Sequence, residues 1–193
     1  MPDEQKRKSV IHCAKHLLGK NGYQNVKIED ISAVSGVAVS SIYLFFKSKE
    51  GIASAIIERG WEDFSFKLKA AFEKEKDPRK RIELITDQFL PSILVDPDFI
   101  SVLLADPRFI QGAIPKLDAL AELFREAVMD FDEAHPLKPT GLSINKSRIS
   151  VLIFLLGSLS ASQFSAFHKL DISNQDLIEY IQDIFRLRFE EAR

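Results

Sequence analysis

Apolar residues recur at helical spacing along almost the whole chain. Val10, Ile11, Ala14, Leu17 and Leu18 follow the i, i+4, i+7, i+8 stripe of an amphipathic helix. Gly22, just after Asn21, is placed to end that helix in a left-handed conformation. Ile28, Ile31 and Val34 mark a second, short helix that Gly36 closes. A third short helix lies in the run SSIYLFFKSKE at 40–50, where Ile42 to Phe46 are apolar most of the way round. Ser48 is a good N-cap for a fourth, long helix over about 48–76. Ile52, Ile56, Gly60, Phe64, Leu68 and Phe72 form one ridge along it, and Asp77-Pro78 ends it.

The second half repeats the theme. Ile82, Ile85, Phe89 and Ile93 share a helical face, with Pro91 expected to kink or stop it. Asp96-Pro97 and Asp106-Pro107 are helix entries, because proline fits the first helical position. Lys116 to Phe131 reads as another amphipathic helix, and 135–143 as a loop. Two long helices, about 144–168 and 174–191, close the chain, the second opened by a capping-box-like Ser173 and Asp176. No segment alternates with period two. The expected fold is all-α, with about nine helices and no sequence repeat.

Composition narrows the class. With 46% hydrophobic and 28% charged residues the chain reads as an ordinary soluble protein. A single cysteine, Cys13, excludes an internal disulfide framework. The polar start, the absence of a secretory signal and the dilution of 151–164 by Ser, Gly and Gln point to a cytoplasmic chain with no membrane span. Residues 1–60 carry nine Lys/Arg against six Asp/Glu, and 61–193 seventeen against twenty-two. A mildly basic head on an acidic body is compatible with nucleic-acid binding by the head.

Two short helices around a glycine turn, inside a three-helix head, form the layout of a helix-turn-helix DNA reader. The helix from Lys27 to Val34 would cross the DNA backbone, and the one from Val39 to Phe45 would enter the major groove. Lys47 and Lys49 are placed to neutralise phosphates.

Residues 31–52, ISAVSGVAVSSIYLFFKSKEGI, with AKHLLGKNGYQNVKIEDI ahead of them, resemble the N-terminal domain of the tetracycline-repressor (TetR/AcrR-type) transcriptional regulators. The matching positions are Gly22-Tyr23, Ile28, Asp30-Ile31, Gly36-Val37, Ile42-Tyr43, Phe46 and Ser48 to Glu50. The resemblance implies a DNA-binding domain at 1–50 and a ligand-binding and dimerisation domain at 51–193. It implies a homodimer through helices 144–168 and 174–191, a near-palindromic operator, and a small-molecule ligand that releases the DNA, so that the protein is a repressor. Tyr43 and Lys49 match phosphate-contacting positions, and Val39, Ser40 and Ser41 match base-facing ones. Three residues depart from the pattern. Ala38 replaces a serine cap, Lys27 a capping hydroxyl, and Phe45 a tyrosine or histidine. The recognition helix has no Arg, Asn or Gln for bidentate base contacts. Specificity is therefore expected from Val39 on thymine methyls, from Ser40 and Ser41, and from DNA shape. Arg7 or Lys8, on an N-terminal arm, would add a minor-groove contact, and Lys27 could reach phosphate. Replacing Ser41 is expected to change sequence preference, and replacing Lys49 to weaken all sequences.

Other readings compete. The head could be a structural bundle of a helical enzyme or carrier, although no nucleophile–base pair, phosphate loop or metal spacing supports catalysis. His12 and His16 stand at i, i+4 but opposite the apolar stripe and without further ligands, so solvent-facing histidines are expected rather than a metal site. No cofactor is expected. In the body, Trp61, Phe64, Phe89, Phe99, Phe109, Phe124 and Phe154 are candidates to line an apolar pocket, with Gln163 and His168 as polar anchors. An apolar or aromatic ligand fits such walls best. The alternative is that these residues are simply core.

Overall fold

The computed structural model describes residues 2–89, 91, 92 and 96–134, with isolated helical positions at 157, 175, 176, 179, 180, 182 and 183. Among the described residues all regular structure is helical. The α-helices are α1 (Asp3–Asn21), α2 (Ile28–Ser35), α3 (Val39–Phe46), α4 (Lys49–Lys74), α5 (Pro78–Leu84), α6 (Pro97–Leu104) and α7 (Pro107–Ala134). A π-helical turn, Ile85–Phe89, continues α5. The two closing helices expected at 144–168 and 174–191 lie outside the described residues, apart from the isolated positions.

Each early boundary has a local cause. α1 runs until Gly22, whose φ of 84° no side chain favours and whose N–H donates to Leu18 O at 3.0 Å. Asp3 and Glu4 complement its N-terminal dipole. Helix therefore begins at Asp3, and Arg7 and Lys8 lie on it rather than on an extended arm. Ser48 caps α4 as expected, its Oγ accepting from Gly51 N–H at 3.1 Å. Asp96 accepts from Phe99 N–H at 3.0 Å and Asp106 from Arg108 N–H at 2.8 Å, so both Asp-Pro entries open helices. The helix expected at 116–131 is not separate. α7 runs through Pro115, which costs the helix one hydrogen bond without ending it.

The chain forms two compact units, 1–63 with 96–113 and 64–95 with 114–193. The sequence suggests a head that ends near residue 50; the contacts add the start of α4, α6 and the start of α7 to it. The core of this head unit comprises Val10, Ala14, Leu18, Ile31, Ile42, Ile52, Ala53 and Val102, each without exposed surface. Fully burying one such Ile or Leu contributes about 1.5–3 kcal/mol. α6 lies against α1, and its Ile100, Val102 and Leu103 are buried. An ion pair, Lys15–Asp96, and a hydrogen bond between His16 Nδ1 and Asp98 Oδ2 (2.8 Å) border that contact.

Glycines give α6 its close approach. A Cβ on Gly19 would stand 2.5 Å from the Asp98 Cα, and one on Gly60 the same distance from the Phe99 ring. Two consecutive residues of α6 thus rest on backbone of α1 and α4.

The second unit buries Leu68, Ile82, Ile85, Phe124 and Phe131. Phe64 and Phe89 meet edge to face at 5.7 Å. Arg81 donates to Glu75 O at 2.8 Å and pairs with Asp130 at 2.9 Å, tying α5 to the end of α4 and to α7.

Candidate nucleic-acid interface

α2 and α3 bend by 111° across the turn at 36–38, within the range of a helix-turn-helix pair. Gly36 makes the turn with φ 67° and ψ 17°, and its N–H donates to Ser32 O at 3.0 Å. Ser32 Oγ donates to Val37 O at 2.7 Å, and Ser9 Oγ donates to Ser35 O at 3.2 Å, which fastens the turn to α1. At the start of α2, Lys27 offers no cap acceptor. Its N–H donates to the Asp30 carboxylate at 2.8 Å, half of a capping box, and its side chain is exposed.

α3 divides into two faces. Ile42 (0% exposed) and Phe46 (8%) point into the core. Ser40, Tyr43, Leu44 and Lys47 are exposed at i, i+3, i+4 and i+7, a single solvent-facing stripe. Val39, Ser41 and Phe45 are half-buried along its borders. Leu44, at 66% the most exposed large apolar residue of α3, belongs to the stripe and puts an apolar group on its solvent face. Its i+4 spacing from Ser40 is the signal that places it there. Ala38 supplies no side-chain cap, which leaves the first N–H groups of α3 without a side-chain acceptor.

The cations are arranged differently from the sequence expectation. Lys49 turns inward. Its ammonium donates to Tyr23 O at 2.8 Å and Val26 O at 3.0 Å and lies 4.5 Å from the Tyr23 ring centroid. It closes the loop between α1 and α2, and a phosphate contact from this position would require giving up both carbonyls. Lys47, exposed and left-handed at φ 68°, is the cation that the end of α3 presents. Arg7 joins it. Its guanidinium lies 5.0 Å from the Phe45 ring and 5.7 Å from the Phe46 ring, and Nη2 donates to Phe45 O at 3.5 Å. Phe45, which lacks the hydroxyl of a tyrosine, is thus the seat for a guanidinium. Lys8 is exposed and pairs with Glu4 at 3.6 Å.

Behind this face, Tyr23 is buried and packs edge to face on Phe109 at 5.4 Å. Burial, and next the Glu50 carboxylate, push its phenol up to about 12. Arg108 beside Asp106 holds that carboxyl down at about 2.

The candidate pocket residues separate. Trp61, Phe99 and Phe109 belong to the head unit, and Phe64, Phe89 and Phe124 to the second. Phe109 is buried and packs on Tyr23, so packing inside the head already accounts for it, whereas Phe99 rests on Gly60 and is only half-buried. Phe154, Gln163 and His168 lie outside the described residues.

Comparison with known proteins agrees with this geometry. Residues 10–56 match the family model described as bacterial regulatory proteins, tetR family. A fatty acid metabolism regulator protein of Bacillus subtilis is 25% identical over 76 residues, a stretch covering 39% of each chain. Among solved structures, the fatty acid degradation regulator FadR from Bacillus halodurans superposes with a TM-score of 0.75 at 16% identity, covering 93% of both chains. FadR from Bacillus subtilis, in complex with stearoyl-CoA, gives 0.74 at 17% identity over 94% of this chain and 96% of that one. At such identities the superpositions show a shared fold.

Proposed function

We propose that this chain, whose residues 10–56 match the tetR family model, is a dimeric, ligand-released transcriptional repressor. The observation that carries the DNA reading is the exposed stripe Ser40, Tyr43, Leu44 and Lys47 on the second helix of a 111° helix-turn-helix. In the major groove, Ser40 would offer a hydroxyl, Leu44 a surface for thymine methyls, and Lys47 and Tyr43 phosphate contacts. The half-buried Val39 and Ser41 would reach base edges from the N-terminal end of α3, and Lys27 and Lys8 would add charge at the rim.

Arg7 would hold a phosphate at the C-terminal end of α3 rather than enter the minor groove, because Phe45 fixes its guanidinium there. Replacing Phe45 by leucine keeps the volume of an apolar residue but removes the ring. A binding titration should then show affinity falling by about three- to tenfold on every sequence, as for a mispositioned phosphate contact. Arg7→Ala should produce the same loss, and the double variant no more than either alone. Additive losses would separate the two residues and overturn the pairing.

Homodimerisation through 144–168 and 174–191 would set two heads on a near-palindromic operator. The ligand would present an apolar or aromatic part to the walls of its pocket. A long-chain acyl thioester is the first candidate, since a similar protein is a fatty acid metabolism regulator and a similar fold holds stearoyl-CoA. Adding stearoyl-CoA to the complex with a selected DNA duplex should release the DNA. Retention of the complex at saturating stearoyl-CoA would remove the acyl reading and leave the DNA reading standing.

A further inference from the structure

A groove of about 340 Å³ lies on the head unit between α1, α4 and α6. Its floor is apolar: Ile11 from α1, Ile56 and Gly60 from α4, and the half-buried Phe99 ring from α6. Its rim is basic. Lys8, His12 and Lys15 follow one another at i, i+4 and i+7 along α1, and Arg59 faces them from α4. Asp63 is the one acidic lining residue. The volume suits a small organic molecule.

Several of these charges have partners at the surface. Lys8 pairs with Glu4 at 3.6 Å, Lys15 with Asp96, and Arg59 with Asp63 at 3.3 Å and Glu62 at 4.0 Å. His16, one turn beyond His12, is taken by Asp98. The exposed pairs of Lys8 and Arg59 contribute about 0–1 kcal/mol each, so an incoming anion can share or displace them. Arg59, about half exposed, has guanidinium hydrogens left over after binding two carboxylates. His12 is exposed at the centre of the rim.

We propose that this groove is an effector site for a small amphipathic anion, with its tail on Ile11, Ile56 and Phe99 and its charged group against His12, Lys8 and Arg59. Gly60 makes the site possible, because the Phe99 ring lies where a Cβ would stand. All of the lining residues belong to the head unit, so the site is independent of the acyl reading above. Its occupant would touch α1, α4 and α6 at once and would fix their mutual packing.

Octanoate is a suitable probe, with octanamide as the uncharged molecule of the same length. The Cε1 proton resonance of His12, assigned by its disappearance in His12→Gln, reports this site and no other pocket. Octanoate should shift it saturably, and octanamide should bind at least fivefold more weakly. Arg59→Gln should weaken octanoate by about fivefold, the effect of losing one charge-assisted contact near the surface, with the thermal midpoint and the octanamide response unchanged. An unmoved His12 resonance, equal binding of acid and amide, or an unaltered octanoate affinity in Arg59→Gln would overturn the proposal.

Discussion

Replacing Lys49 by methionine should lower the stability of the head by about 2 kcal/mol. The methionine keeps the unbranched stem and removes only the ammonium. That ammonium donates to the carbonyls of Tyr23 and Val26 and rests on the Tyr23 ring, at distances of 2.8, 3.0 and 4.5 Å. Hydrogen bonds from a charged donor contribute about 1.5–3 kcal/mol, and carbonyls stranded in a part-buried loop add to the loss. Denaturant unfolding followed by tyrosine fluorescence measures it. A second readout separates this role from DNA contact. A lysine that neutralises one phosphate per chain contributes about 0.9 each to the salt slope, about 1.8 for a dimer. Lys49→Met should leave that slope intact under folding conditions, whereas Lys47→Ala should flatten it. A flattened slope at unchanged stability in Lys49→Met would return Lys49 to the phosphate backbone.

Gly19→Ala should destabilise the protein, against the usual sign of that substitution in a helix. In a free helical position the change gains about 0.8–1 kcal/mol. Here the new Cβ would meet the Asp98 Cα at 2.5 Å and its Cβ at 2.6 Å. Neither atom can move away without displacing the start of α6, and overpacking of this kind costs about 1–3 kcal/mol. The Lys15–Asp96 and His16–Asp98 pairs resist that displacement further. A net loss of about 1–2 kcal/mol follows, with amide protection falling first in α6. A gain in stability would show that Gly19 faces open space.

These two residues mark what the sequence could and could not convey. The helix-turn-helix was legible because its signals are local: an apolar residue every three or four positions, Gly36 where a positive φ is needed, and Ser48 where a cap is needed. The inward side of α3 was legible for the same reason, since Ile42 and Phe46 are one turn apart. The direction of Lys49 was not. A four-carbon stem reaches outward or inward with equal ease, and only the carbonyls of a loop more than twenty residues earlier decide between them. Arg7 was placed on an arm because helical periodicity fades over the polar first turns, which hydrophobic spacing cannot register. The apolar spacing read from Lys116 onward showed a helix to Phe131, but not that α7 begins nine residues earlier and runs through Pro115, since a long helix tolerates the loss of one hydrogen bond. The contact of α6 with α1 joins residues some eighty positions apart. No periodicity encodes it, although Gly19 and Gly60 are the small residues that permit it. Among the pocket candidates, Phe109 was chosen by residue type, and type alone does not distinguish a ring on a ligand from a ring on Tyr23.

The central claim is that the stripe on α3, paired in a dimer, reads a two-fold DNA site. Selection of bound duplexes from a random pool by the full chain tests it most directly. The account predicts enrichment of one near-palindromic sequence whose half-sites change when Ser41 or Leu44 is replaced and keep their sequence when Lys47 is replaced. A pool that stays random after repeated rounds, or an enriched site indifferent to every substitution in α3, would contradict it.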